Sequence, residues 1–209
     1  MPRRQGASRC LLALATAIAG AANAQSEGPA EIPGWIDRER LGSGEVLFQT
    51  VPEARGTVTI ELAVRIDAEW QAIWQVVTAC EISPEYVPHV VSCSAIDPES
   101  IGEPAVTDGS VAFYEQIVKP AFFLPRFEHV FRLEYFPPER IEVSHISGPL
   151  DRMEGRWRLI PADDGSMVVI QKLTVKPNFP VPRFFVRNTL ERDMPPVLAE
   201  IRRRAEVAD

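Results

Sequence analysis

The chain has 209 residues, with 22 Lys and Arg against 29 Asp and Glu, for a net charge of −7. An acidic chain of this kind is poorly matched to nucleic acid or to a uniformly anionic membrane surface, so neither is an expected partner. The length suits one domain around a single core better than two.

The opening MPRRQGASRC is basic, and the apolar run LLALATAIAGAA that follows stops at Ala22-Asn23-Ala24. This predicts a cleavable signal peptide over residues 1–24, cut after Ala24, and a secreted or periplasmic protein. The run is too short for a hydrocarbon core about 30 Å thick, and small-x-small is the usual cleavage pattern. A retained anchor is the competing reading. Arg3-Arg4 lacks the residues that twin-arginine export requires, and no Cys follows the run to carry a lipid. Cys10 leaves with the leader. Cys80 and Cys93 then remain in a compartment where disulfides persist. They form either a bridge contributing about 3 kcal/mol or two separately buried thiols.

Residues 25–44 are rich in Gly, Pro and charge and read as an N-terminal arm, lying on the domain or loose. The domain proper is expected over 45–209. EVLFQT from Glu45 and TVTIELAVRI from Thr57 to Ile66 have the alternation of strands. Asp67 is the expected cap of a helix, DAEWQAIWQVVTA, whose Trp70, Ile73, Trp74 and Val77 share a face. A helical turn around Ser83–Tyr86 and a strand from Val90 to Ile96 follow. His89 reads as a surface or capping residue.

Five further strands are expected at 111–118, 126–135, 140–147, 153–161 and 166–175, separated by compact turns such as FPPE, SGPLD and ADDGS. Such separators make antiparallel hairpins, because parallel neighbours need longer crossovers. The chain closes on a helix with Val186, Leu190, Met194, Val197 and Ile201 in one stripe. Pro195-Pro196 predicts a kink or break at Asp193. Arg202-Arg203-Arg204 makes a local basic patch.

The expected fold class is α+β: a curved antiparallel sheet wrapped around a long C-terminal helix. One helix cannot fill such a sheet, and the remaining space becomes a pocket. The blocks AVRIDAEWQAIWQVVTACEISPEYVPHV and GPLDRMEGRWRLIPADDG, with the closing helix ending in RRRAE, resemble the START-like helix-grip (SRPBCC) superfamily. Within it, the branch resembled is that of coenzyme Q-binding and polyketide cyclase/dehydratase and lipid transport proteins. The resemblance runs from about Thr57 to Glu206. It implies a hydrophobic small molecule or lipid, isoprenoid, quinone-like or fatty, held between sheet and helix without a cofactor.

Strand parity assigns the cavity lining. Phe127, His129, Phe131 and Tyr135 share one face; so do Val143 and His145, with Ile141, on the next strand. Trp157 and Gln171 face inward from the last two strands, and Phe113 and Glu115 by the parity of 111–118. Trp74, Leu190 and Met194 complete the lining from the helices. If paired residues across FPPE sum to 274, His129 lies directly opposite His145; a sum of 276 sets them diagonally.

Buried polar groups on an apolar face need partners. Three readings remain for His129, His145, Gln171 and Glu115. They form a hydrogen-bonded cluster that pins register, or the contact point for a ligand headgroup or carbonyl. Alternatively, they form a metal or acid–base site, as in a cyclase or dehydratase using His129, His145 and Glu115. No G-x-S-x-G elbow, phosphate loop, dinucleotide glycine motif or H-E-x-x-H pair occurs, and no metal ligand set is expected. Phe122, Phe123 and Leu124, between Pro120 and Pro125, pack on the core or touch a membrane transiently. The expected reading is a monomeric exported carrier, with the enzyme as alternative; a periplasmic interaction module follows if the inner space is filled.

Overall fold

The computed structural model describes residues 31–53, 56–120 and 125–208. The predicted leader and the apolar tip at Phe122, Phe123 and Leu124 lie outside the described residues. Residues from Glu31 onward make up one compact unit.

Strands β1 (Leu47–Val51) and β2 (Val58–Ile66) pair antiparallel near one edge of the sheet. The chain then passes through helix α2 (Trp70–Thr78) and a tight 3-10 turn (Cys80–Glu85) to the opposite edge, where β3 (Val90–Ala95) lies. It returns strand by strand through β4 (Val111–Val118), β5 (Phe127–Phe136), β6 (Arg140–Ser147), β7 (Leu150–Pro161) and β8 (Met167–Pro177). The order β1-β2-β8-β7-β6-β5-β4-β3 sets β8 beside β2, and all neighbours are antiparallel. Helix α3 (Arg183–Ala208) ends the domain, which is the expected helix-grip α+β architecture.

Period-two patterning explains the two faces of the sheet. On β2, Ile60, Leu62, Val64 and Ile66 point inward, where they meet Ile73 and Val76 of α2 and Val197, Leu198, Ile201 and Ala205 of α3. Each fully buried aliphatic side chain contributes about 1.5–3 kcal/mol, so this seam anchors the helix. The outward residues of the same strands, Ala63, Val168 and Ile170, are buried too. They sit under Ile36 and Leu41, so the arm from residue 31 to 44 lies on the outer face; Asp37 caps its short helix α1 (Arg38–Gly42). Farther along, the outer face is polar: Glu142 meets Arg140 and Arg156, and Lys172 meets Glu61.

Two expectations about helix ends are corrected. Helix α2 starts at Trp70, with Glu69 in the cap position and no side-chain cap bond. Buried Ala68 takes the chain into the core first, while the exposed Asp67 donates its backbone N–H to Glu206 of α3. No break occurs at Asp193, since α3 runs unbroken through Pro195 and Pro196. The prolines remove the backbone donors that would have reached Glu191 and Arg192. Tertiary packing of the next turns, where Val197 and Leu198 are buried, outweighs that loss. Asp193 is tied down by His89 (3.1 Å), whose positive φ of 71° bends the chain toward the helix.

Candidate functional site

A cavity of about 190 Å³ lies between the concave sheet, the α2 crossing and the second half of α3. Of the residues assigned to it by parity, His129, Phe131, Val143, Trp157, Gln171 and Met194 line it. Trp74 and Tyr135 line a separate surface depression of about 460 Å³ shared with Tyr114 and Asp108. Their rings pack with centroids 6.1 Å apart. Phe127 stacks edge-on against His129, with ring centres 6.1 Å apart, and Leu190 packs on the core beside the cavity; neither lines it.

Phe113 and Glu115 are not in the cavity, and here the inward parity is corrected. The β4–β5 register pairs Tyr114 with Phe131 and Gln116 with His129. Directly paired residues share a face, so the even-numbered residues of β4 point inward and Phe113 and Glu115 point outward. Sequence parity failed because both faces of β4 carry buried aromatics: Phe113 and Tyr114 are each buried. Outside, desolvation and the adjacent Glu128 raise the Glu115 carboxyl pKa. The carboxylate therefore sits on the opposite side of the sheet from both histidines.

The histidines do share the inner face, diagonally. The β5–β6 register pairs Phe131 with His145, the sum of 276, and a bulge follows at Val130. Past that bulge Gly148 lies against His129: a Cβ on Gly148 would come within 2.6 Å of His129 Cβ. Its φ of 123° is a backbone conformation that side chains disfavour, so glycine is what lets the turn approach β5 this closely. The Gly148-Pro149-Leu150 turn thus fixes the backbone from which His129 projects. His145 does not line the cavity, although its Nδ1 is buried without a hydrogen-bond partner among the described residues.

His129 is 5 % exposed and stacks on Phe131 at 5.4 Å. Its Nε2–H donates to Gln116 Oε1 at 2.9 Å, so Nδ1 is left holding a lone pair. Burial, and secondarily the charge of His145, pushes the imidazole pKa down to about 4. The ring is therefore neutral at neutral pH. Three polar atoms of cavity-lining residues are buried without partners among the described residues: His129 Nδ1, Gln171 Oε1 and Ser83 Oγ.

Gln116 and Ser83 were missed by parity, as were Tyr86 and Met153, which also line the space. Gln116 was hidden by the wrong parity of β4. Ser83 sits in the 3-10 turn, which has no strand period. That turn is held by the bond between Cys80 and Cys93, whose Cα atoms are 5.5 Å apart, within the usual disulfide range. Among the described residues no group of three or more His, Cys, Asp or Glu could hold a metal ion.

This geometry is similar to that of proteins of known structure. The domain superposes on the Zhui aromatase/cyclase of a Streptomyces species with a TM-score of 0.58 and 14 % identity, covering 72 % of this chain and 94 % of that one. A STAR-related lipid transfer protein of Xanthomonas axonopodis gives 0.57 and 14 % over 76 % of this chain and 98 % of that one. A START superfamily protein of Mycobacterium smegmatis gives 0.52 and 20 % over 72 % and 99 %. At these identities the likeness establishes the fold. Comparison with curated proteins finds no match. The family model for polyketide cyclase/dehydrase and lipid transport matches residues 66–202, more than half of the chain, and the protein belongs to that family.

Proposed function

We propose that this protein binds and carries a hydrophobic small molecule or lipid, fatty or isoprenoid, in the cavity between the sheet and α3. One observation carries the reading: a largely apolar cavity contains buried polar atoms of His129, Gln171 and Ser83 that have no partners among the described residues. Each costs about 1–3 kcal/mol in that condition, which a bound ligand offsets. At about 190 Å³ the space is smaller than most ligand pockets. It exceeds the volume of about 150 Å³ that accommodates benzene in an engineered cavity. A single ring or chain end fits within it, and a longer ligand extends between the sheet and the less buried first half of α3.

The predicted leader over residues 1–24 supports export to the periplasm or outside. The Cys80–Cys93 pair agrees, since disulfides persist in such compartments. The cyclase-type alternative loses its carboxylate, because Glu115 is on the outer face. Native mass spectrometry of the protein from its own compartment, with solvent extraction, is expected to find a co-purifying apolar ligand. Ligand-free protein that also ignores fluorescent fatty-acid and isoprenoid probes would refute the reading.

A further inference from the structure

We propose that the ligand carries a hydroxyl group whose proton is donated to His129 Nδ1, and that molecules offering only carbonyl oxygens, quinones included, are mismatched to this cavity. The inference rests on the carrier reading above and narrows its ligand class.

The donor–acceptor pattern dictates the choice. Gln116 Oε1 accepts from His129 Nε2–H, and a neutral imidazole with its proton on Nε2 has only a lone pair on Nδ1. A ketone, ester or quinone presents only lone pairs, so even where its oxygen accepts from another donor it leaves Nδ1 unpaired. A hydroxyl donates to Nδ1 and keeps its own lone pairs for another donor.

A second donor is available at the same end of the cavity. Cys93, Gln116 and His129 form a row across β3, β4 and β5 on the inner face. The Cys80–Cys93 bond ties the 3-10 turn to that row, and Ser83 of the turn lines the cavity with its Oγ unpartnered among the described residues. A hydroxyl such as Ser83 Oγ–H both donates and accepts. It therefore complements a ligand hydroxyl whose proton points to His129. Burial keeps the imidazole neutral down to about pH 4, so Nδ1 stays an acceptor under ordinary conditions. The ring cannot turn away freely, because Phe131 stacks on it and the Gly148 backbone lies against its Cβ. An acceptor fixed in advance discriminates by hydrogen-bond type more sharply than a mobile one.

The experiment is a chemical-shift titration of the full chain with four matched one-ring probes: para-cresol, para-methylanisole, para-xylene and methyl-para-benzoquinone. Para-cresol is expected to bind at least about tenfold more tightly than its methyl ether or the quinone, roughly the effect of one buried hydrogen bond. In His129→Phe that preference is expected to vanish. Gln116→Met provides the second variant should His129→Phe fail to fold. With Gln116 Oε1 gone, either tautomer becomes accessible, and the preference for cresol over the quinone is expected to shrink. Equal binding of all four probes, or tighter binding of the quinone, overturns the hydroxyl inference while leaving the carrier reading intact. Failure of every probe, para-xylene included, together with ligand-free native protein, overturns both.

Discussion

Gly148→Ala tests the link between the geometry of one turn and the placement of the cavity imidazole. The new Cβ would lie 2.6 Å from His129 Cβ and 2.8 Å from both His129 Cα and the Glu128 carbonyl oxygen. Two of these three are backbone atoms, so no side-chain rotation relieves the overlap. The φ of 123° adds conformational strain of about 1–3 kcal/mol for a residue with a side chain. Overpacking against an unyielding neighbour adds about 1–3 kcal/mol more. The expected loss is therefore about 2–6 kcal/mol, with a fall in Tm of about 2–4 °C per kcal/mol for a domain of this size. Gly165→Ala is the control: it also has positive φ, 87°, but nothing lies within 4 Å of its virtual Cβ. It should lose only the conformational part, about 1 kcal/mol. Urea denaturation of both variants, with the His129 ring resonances followed in the folded state, separates the two terms. Equal destabilisation by the two substitutions, or an unmoved His129 resonance in Gly148→Ala, would refute the argument that the turn is braced against β5.

The remaining predictions concern charge, covalent closure, helix continuity and the cavity. His129 has its pKa lowered from 6.5 to about 4 in the folded state, so between those values the unfolded chain binds more protons. Stability from this group is full above about pH 6.5 and is lost as pH falls to about 4, by up to roughly 3 kcal/mol; urea melts should flatten across this window in His129→Phe. Asp164 and Glu200, lowered from 3.8 and 4.5 to about 2, lose their contributions as pH falls from the ordinary carboxylate values toward 2, so they leave the window from about 6.5 to 5 to His129. Replacing Cys80 and Cys93 together by Ala should cost about 3 kcal/mol on the chain-entropy model, read by denaturation. Pro195→Ala with Pro196→Ala restores two backbone donors within α3 and should raise stability by about 1 kcal/mol or more; a lower Tm would mean the prolines are fitted to their packing. Gln171→Met should leave ligand-free stability unchanged or higher while reducing ligand retention, measured by thermal melts and native mass spectrometry.

The architecture was legible because period and punctuation agree along most of the chain. The alternation on β2, β5, β6, β7 and β8 and the turns FPPE, SGPLD and ADDGS give the correct strands, directions and inner faces. The failures are local and share a cause, since each depends on a partner that the local pattern does not name. On β4 both faces bury large side chains, so alternation loses its contrast and Glu115 was placed inside instead of Gln116. The bulge between β5 and β6 adds a residue to β6, and with it Gly148 reaches His129. The two prolines in α3 report a local penalty that its buried later turns override. The space between sheet and helix was foreseeable from the fold, whereas its polar end depends on which residue of β4 pairs with His129.

That dependence bears on why the polar groups persist. Three cavity-residue atoms without partners among the described residues, on Ser83, His129 and Gln171, together cost about 3–9 kcal/mol, comparable with the whole stability of an ordinary domain, about 5–15 kcal/mol. Apolar residues of similar shape at those positions would remove the cost without altering the sheet. Register does not require the groups either, because the inner face is already specified by Phe131, Leu133, Ile141, Val143, Trp157 and Leu159. A hydrogen-bonded cluster that pins strands would satisfy its own members, yet among the described residues only the His129–Gln116 bond is made, and it spends the donor of the imidazole while leaving its acceptor without a partner in a residue that lines the cavity. An arrangement that fixes an imidazole tautomer, stacks and buries the ring, and leaves one lone pair without a partner makes physical sense when the missing partner arrives with the ligand.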